Sequence, residues 1–184
     1  PIARVAAAAR LGHKTRPLHF ILHTGHVGST LLSRLLETTG SVLSLREPLP
    51  LRTLAEASDV LGLPESLLSE PQFDLALDTF VRLWSRGYTT TRCVVLKATS
   101  SAGRLAATLL GRSVASRAIY LNVKAEPYLA TLLAGQNSPL DLRGHGPERM
   151  RRLCARTTAP LPALHALRPT SRPRLRPCGA RSST

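Results

Sequence analysis

Short apolar runs alternate along the chain with longer stretches in which apolar residues recur every three or four positions. The short runs predict β-strands at 17–23, 41–45, 92–97 and 117–123. The main periodic stretches between them predict helices at 28–39, 51–61, 71–86 and 101–111. Short apolar strands that alternate with helices are typical of a parallel sheet covered on both faces. We therefore predict an α/β fold, a three-layer sandwich with at least four parallel strands.

Helix packing follows from the same periodicity. In the helix at 28–39 four leucines share one side, which we expect to pack on the sheet: Leu31, Leu32, Leu35 and Leu36. In the helix at 71–86 an apolar stripe is expected in the core: Phe73, Leu77, Phe80, Val81 and Trp84. Further helices are predicted at 64–68, 126–135 and 146–155, and Pro64 suits a first helical turn. Arg104, in the helix at 101–111, is expected to be solvated.

The periodic pattern divides the chain into three parts. Residues 1–16 form a loose or helical lead-in, and residues 17–155 form the α/β domain. Residues 156–184 are rich in arginine and proline and lack any periodicity. Because such a composition buries little apolar surface, we expect this tail to be disordered.

The net charge restricts the possible partners of the chain only weakly. The formal net charge is +14, but residues 156–184 contribute six arginines and no acidic residue. The rest of the chain has 19 basic and 11 acidic side chains, which suits an anionic small ligand as well as a polynucleotide. Aromatic residues make up 4% of the chain, too few for an extensive base-stacking surface. A nucleic-acid partner is therefore disfavoured.

The cysteine content and hydropathy indicate a cytoplasmic setting. Cys93, Cys154 and Cys178 are odd in number and widely spaced, which predicts neither a disulfide framework nor a metal site. No run approaches the roughly 20 apolar residues that a membrane span requires. We therefore expect a reducing compartment, no membrane insertion and no bound metal ion.

The first predicted strand runs through a glycine-containing loop into the first strong helix. The loop consists of Thr24, Gly25, His26, Val27, Gly28, Ser29 and Thr30. A helix N-terminus offers unpaired N–H groups and a favourable dipole to an anion, and glycines allow a phosphate to approach the backbone closely. The loop is not a Walker A motif, because it contains no lysine. It predicts either a phosphate site or a plain strand-to-helix turn in which Ser29 caps the helix.

Charged residues follow the other strands. In a parallel sheet, ligands bind outside the carboxyl ends of the strands, where Glu47, Lys97 and Lys124 stand together with the loop. Lys97 either contacts an anionic ligand or is an edge lysine whose stem covers apolar surface. His23, just before the loop, either orients the loop or is a hydrogen-bonded core histidine.

The loop and the second strand together resemble the sulfotransferase family, in particular bacterial sulfotransferase-like P-loop proteins. The matching stretches are 20–32, Phe-Ile-Leu-His-Thr-Gly-His-Val-Gly-Ser-Thr-Leu-Leu, and 45–49, Leu-Arg-Glu-Pro-Leu. In that family a loop of the type [KR]-S-G-[ST]-[ST]-x-L holds the 5′-phosphosulfate of 3′-phosphoadenosine-5′-phosphosulfate. The resemblance covers roughly residues 17–155 and implies a P-loop NTPase-like fold, with residues Thr24 to Thr30 as the donor site.

The resemblance also implies roles for individual residues. His26 stands where the family has Lys or Arg, and with Lys97 it would act on the leaving phosphate. Lys124 and Thr131 stand where the family binds the 3′-phosphate. The family's C-terminal glycine-rich segment is not found here, which implies a domain incomplete at that end. The expected ligands are the nucleotide donor and an unknown hydroxyl or amine acceptor, with no metal.

Glu47 is the best candidate for the base, because sulfuryl transfer needs a group that takes the acceptor's proton. The other interpretation of Glu47 is a salt bridge with Arg46 or Arg52. Two other functions stay open. One is a non-catalytic or degenerate nucleotide-binding protein, which His26 and the absent C-terminal segment favour. The other is a P-loop phosphotransferase, although no aspartate ends the strands at 94–97 and 119–121 to bind magnesium.

Overall fold

The computed structural model describes residues 2–10, 14–136 and 138–156, and it contains one four-stranded sheet. The strands are β1 (Leu18–His23), β2 (Val42–Arg46), β3 (Cys93–Lys97) and β4 (Ala118–Leu121). All neighbouring strands are parallel, in the order β2-β3-β1-β4. The predicted α/β fold with at least four parallel strands is confirmed.

The α-helices in the described residues are α1 (Ile2–Arg10), α2 (Ser29–Glu37), α3 (Leu49–Asp59), α4 (Glu70–Trp84), α5 (Ala106–Gly111), α6 (Ala125–Ala134) and α7 (Ser138–Arg156). Four of them, α2 to α5, lie between the strands along the chain. A 3-10 helix, Ser100–Leu105, precedes α5. Among the described residues, those up to Leu140 form one compact unit, and those from Asp141 belong to a second. The predicted tail at 156–184 lies outside the described residues, except for Arg156 at the end of α7.

The order of the strands places the glycine loop at the centre of the sheet edge. The chain leaves β1 for the outer strand β2, returns to β3 beside β1, and then crosses β1 to reach β4. Ile21 in β1 therefore pairs with Lys97 on one side and with Ile119 on the other. Ligands bind at such a reversal of strand order, outside the carboxyl ends of the strands.

One face of the sheet carries the main core. Leu18, Phe20 and Leu22 alternate along β1 on this face, as the two-residue period of a strand requires. They belong to one buried cluster with residues of β3, α3 and α4, among them Val94, Leu96, Leu54, Phe73 and Leu77. The predicted core stripe of α4 is confirmed by the burial of Phe73, Leu77 and Trp84, with Phe80 and Val81 packed against the cluster.

The opposite face is covered by α2, chiefly through two serines. The residues of α2 that are buried are Ser29 and Ser33, and the Ser33 hydroxyl hydrogen-bonds that of Ser44 in β2. Leu31 and Leu35 are 63% and 55% exposed, whereas Leu32 and Leu36 are partly buried, so the predicted packing on the sheet is wrong for Leu31 and Leu35. Apolar periodicity does not show which residues of a helix pack most closely on a strand. Small serine side chains allow a closer approach than leucines do, and their hydroxyls hydrogen-bond each other.

Two further local predictions are wrong. Residues 64–68 form turns instead of a helix, because so short a segment does not repay helix nucleation. Arg104 is not solvated: its Nε lies 3.0 Å from Asp59 Oδ1 and donates to the Ala55 carbonyl at 2.8 Å. This ion pair connects the 3-10 helix to the end of α3, although its two residues are 45 positions apart in the sequence.

Candidate functional site

The backbone of the loop after β1 leaves the first N–H groups of α2 without a side-chain cap from the described residues. Gly25, His26 and Gly28 have φ values of 104°, 52° and 77°, all in the left-handed region that glycine favours. The Leu32 N–H donates to the Gly28 carbonyl at 3.1 Å as α2 begins. The preceding helical N–H groups therefore have no partner within α2. Gly28 is the N-cap, and no side chain of the described residues caps the helix, so the interpretation of Ser29 as the cap is wrong.

A cavity of about 470 Å³ lies against this loop. Its lining includes the loop residues Gly25, His26, Val27, Gly28, Ser29 and Thr30. Glu47, Lys97, His23, Thr99 and Ser100 complete the lining. The structure thus brings together groups from the ends of three strands. They are the loop after β1, the predicted base Glu47 after β2, and Lys97 at the end of β3.

Glu47 and Lys97 form an ion pair at the wall of this cavity. Lys97 is 3% exposed, and its ammonium donates to the Glu47 carboxylate, which is about half exposed. The Glu47 N–H also donates to the Lys97 carbonyl at 2.8 Å. Lys97 is therefore a buried, paired cation and not an edge lysine.

The other salt-bridge partners considered for Glu47 are engaged elsewhere. Arg46 pairs with Glu37 at 2.9 Å and Arg52 pairs with Glu56 at 3.0 Å. Glu47 has a φ of 50°, which is unusual for a residue with a side chain. Such a conformation costs on the order of 1–3 kcal/mol and is concentrated at functional sites, where the surrounding structure enforces it. Here the ion pair and the backbone hydrogen bond with Lys97 hold Glu47 in this conformation.

His23 has one ring nitrogen that is hydrogen-bonded and one that has no partner among the described residues. Its Nε2 donates to the Ala98 carbonyl at 2.7 Å, which leaves Nδ1 as the acceptor of a neutral ring. Nδ1 is buried and has no hydrogen-bond partner among the residues that the structure describes. Burial lowers the pKa of His23; the Ala98 carbonyl and Glu47 oppose this, while the charges of Lys97 and His26 add to it. A neutral imidazole therefore stands behind the loop.

This lowered pKa predicts a pH-dependent stability. The unfolded chain binds a proton at His23 near pH 6.5, whereas the folded chain resists protonation until a lower pH. The contribution of neutral His23 to the free energy of unfolding is thus complete above about pH 6.5 and is lost as the pH falls towards the pKa of His23 in the folded state. His23→Gln can still donate to Ala98 but does not titrate. We expect the thermal midpoint to fall more between about pH 7.5 and about pH 5.5 in the wild type than in His23→Gln. Equal falls would contradict the assignment.

The predicted 3′-phosphate residues lie outside the cavity lining. Lys124 is exposed at the start of α6, and the Thr131 hydroxyl donates to the Pro127 carbonyl of its own helix at 2.8 Å. α6 approaches the loop through a different residue. Tyr128 Cε2 lies 3.9 Å from the point where a Cβ on Gly25 would stand. The sequence offers no signal for this contact, because Tyr128 follows the loop by about 100 residues.

Within residues 2–10, 14–136 and 138–156, no group of three or more His, Cys, Asp or Glu side chains is placed to hold a metal ion. In the same residues, none of the helices combines the length and apolar character that crossing a membrane would need. Comparison with protein-family models, with curated proteins and with solved structures finds no match to this chain.

Proposed function

We propose that the chain is a sulfotransferase-like P-loop protein that binds 3′-phosphoadenosine-5′-phosphosulfate at the glycine loop and transfers its sulfuryl group to a hydroxyl or amine acceptor. One observation carries this proposal: the open start of α2, Lys97 and Glu47 line a single cavity at the carboxyl ends of three parallel strands. Backbone N–H groups and a buried cation suit the anionic phosphosulfate, and a carboxylate beside them suits the acceptor proton.

The chemical step divides the work between these groups. The acceptor oxygen or nitrogen attacks the sulfur, and the bond from sulfur to the bridging oxygen breaks with its electrons passing to the phosphate. Glu47 takes the proton of the attacking group, and adenosine 3′,5′-bisphosphate leaves. Such a transfer depends chiefly on positioning and on cations near the developing negative charge. The loop N–H groups hold the 5′-phosphate, while Lys97 and His26 face its leaving oxygen.

Lys97 changes partner in this scheme. In the structure its ammonium is bound to Glu47. Anionic oxygens of the donor compete for that ammonium, since the loop itself contains no lysine or arginine. Once Lys97 contacts the donor, the Glu47 carboxylate is released to accept a proton. Donor binding and activation of the base are thereby coupled.

A second candidate is a nucleotide-binding protein without catalysis. The observation that favours it is the same ion pair, because the Glu47 carboxylate is engaged by a structural partner. A phosphotransferase is less well supported, since Glu47 is, among the described residues, the one carboxylate in the cavity lining and already has a cationic partner. For either function we propose a cytoplasmic setting, in keeping with the free thiols of Cys93 and Cys154.

Donor binding is tested by adding the charge that the loop lacks. His26→Lys places an ammonium in the cavity lining, and a charged hydrogen bond to phosphate contributes about 1–3 kcal/mol. We expect adenosine 3′,5′-bisphosphate to bind His26→Lys about 5- to 150-fold more tightly than the wild type, as measured by calorimetry.

The matched control is Leu67→Lys, which adds the same charge at a 95% exposed position outside the cavity lining. This variant should bind the bisphosphate like the wild type. Equal affinity of the wild type and His26→Lys would show that no phosphate lies beside position 26, and the loop would then be a structural turn.

A further inference from the structure

A second cavity, of about 450 Å³, lies at the opposite end of β1 from the loop cavity. Its lining includes Pro17 and Leu18 at the start of that strand, whereas His23 at the end of the strand lines the loop cavity. The Cα atoms of Leu18 and His23 are about 16 Å apart, because a strand rises about 3.3 Å per residue. Among the residues that the structure describes, the two cavities have no lining residue in common. The second cavity is therefore a separate site, and we name it the arginine cavity after three arginines in its lining, Arg16, Arg82 and Arg112.

The charge of one of these arginines is balanced by two carboxylates. Arg112 Nη1 lies 2.8 Å from Asp78 Oδ1, and Arg112 Nη2 pairs with Asp74. Arg82 follows Asp78 by four residues on α4, which is the spacing of an ion pair along a helix. Asp78 contacts Arg112 instead, and Arg82, which is exposed, has no ion pair in the described part of the chain. Arg82 is therefore available to an anion at the edge of the cavity.

Arg16 also has no counter-ion within residues 2–10, 14–136 and 138–156. It is partly buried, and its Nη2 donates to the Tyr88 and Thr89 carbonyls at 3.4 Å each. Its Nε is buried and has no hydrogen-bond partner within the same residues. A guanidinium is always charged, and water screens a partly buried charge less than an exposed one, so a nearby anion stabilises it. Arg16 and Arg82 thus give the arginine cavity a positive charge that the described residues do not balance.

Other polar side chains of this lining suit a ligand that carries hydroxyl groups. The Ser113 Oγ accepts the Ala115 N–H at 3.3 Å, which leaves the Ser113 hydroxyl proton to donate. The Ser85 hydroxyl donates to the Val81 carbonyl at 2.6 Å, which leaves its oxygen to accept. Asp78 is bonded to Arg112 through Oδ1, so that Oδ2 is a second acceptor. A hydroxylated molecule can bond to each of these groups, whereas Asp78 would repel a second anionic group.

We infer that the arginine cavity binds a small phosphate monoester with a hydroxylated body, of the chemical class of the sugar phosphates. Such a phosphate has a charge of about −1.5 to −2 at neutral pH, and a guanidinium can bind two of its oxygens at once. The phosphate lies between Arg16 and Arg82, and the hydroxyl groups of the body contact Ser85, Ser113 and Asp78. The volume of the cavity falls in the range of sites that enclose small molecules. This site is independent of the donor proposed for the loop cavity.

The test uses glucose 6-phosphate as the probe, titrated into the full chain and followed by calorimetry. We expect saturable binding to the wild type and at least about tenfold weaker binding to Arg82→Gln and to Arg16→Gln, because each loses a charged hydrogen bond to the phosphate. Arg34→Gln is the matched control, since Arg34 is an exposed helical arginine like Arg82 but lines neither cavity. This variant should bind the probe like the wild type. Circular dichroism checks that the variants are folded, and Arg82 is at an exposed position where the substitution should not disturb packing.

Further titrations establish where the phosphate lies and whether the hydroxylated body matters. Lys97→Met should bind glucose 6-phosphate like the wild type, since Lys97 lines the loop cavity and not the arginine cavity. Inorganic phosphate should bind the wild type more weakly than glucose 6-phosphate, because it lacks the hydroxylated body. No saturable binding of glucose 6-phosphate, or equal affinities for the wild type and Arg82→Gln, would overturn the site. Loss of binding in Lys97→Met would place the phosphate in the loop cavity, and equal binding of inorganic phosphate would overturn the ligand class.

Discussion

Replacing Lys97 with methionine is expected to weaken the binding of adenosine 3′,5′-bisphosphate by about 5- to 150-fold. Methionine keeps the length and apolar stem of lysine but removes the cation that, in the proposed donor site, faces the phosphate. Lys97 is 3% exposed, so water screens its charge poorly and its loss should be felt strongly. Calorimetric titration of both proteins measures the difference directly.

The folded state should tolerate Lys97→Met, because Glu47 is about half exposed and its carboxylate can turn to water. Lys14→Met is the matched control, since Lys14 is exposed and does not line the loop cavity. That variant should bind the bisphosphate like the wild type. Unchanged affinity in Lys97→Met, with the fold intact, would remove Lys97 from the donor site.

Glu47→Gln is expected to abolish sulfuryl transfer while it leaves nucleotide binding intact or slightly stronger. Glutamine retains an oxygen that can accept from Lys97 but cannot take the acceptor's proton. Loss of a positioned general base lowers rates by about 10²- to 10⁴-fold, whereas removal of a negative charge from the cavity favours an anion. The readouts are formation of adenosine 3′,5′-bisphosphate from the donor, with a mixture of phenol, alcohol and amine acceptors, and calorimetric binding of the bisphosphate.

The control for Glu47→Gln is Glu37→Gln, which removes an exposed carboxylate that pairs with Arg46 outside the loop cavity. Its transfer rate should match that of the wild type. Transfer by Glu47→Gln at the wild-type rate would show that another group takes the proton. No detectable transfer by the wild type, with normal nucleotide binding, would favour the non-catalytic candidate.

The parallel sheet and the residues at its carboxyl edge could be predicted from the sequence, because both depend on local patterns. The four apolar runs appear as four parallel strands. Parallel strands end at the same edge, which is why the sequence alone predicts that Glu47, Lys97 and the loop lie together. Their convergence in one cavity follows from the strand order.

The sequence did not predict contacts between residues that are distant along the chain. It also did not predict which residues of a helix face the sheet. In α2 the fully buried residues are Ser29 and Ser33, whereas Leu31 and Leu35 of the predicted leucine side are exposed. Glu47 pairs with Lys97, 50 residues away, and not with its neighbours in the sequence. Tyr128 reaches the loop only because β4 lies beside β1 and leads into α6. Each of these contacts depends on tertiary packing, which local periodicity does not encode.

The most direct test of the proposed donor site is a calorimetric titration of the wild-type chain with adenosine 3′,5′-bisphosphate, compared with ATP under the same conditions. The bisphosphate has the adenosine and the two phosphate positions of the proposed donor. ATP instead has a triphosphate and no 3′-phosphate, and Lys97 is the one lysine or arginine among the described residues that line the loop cavity. We predict saturable binding of the bisphosphate with a higher affinity than that of ATP. Equal or tighter binding of ATP, or no saturable binding of the bisphosphate, would contradict the proposal.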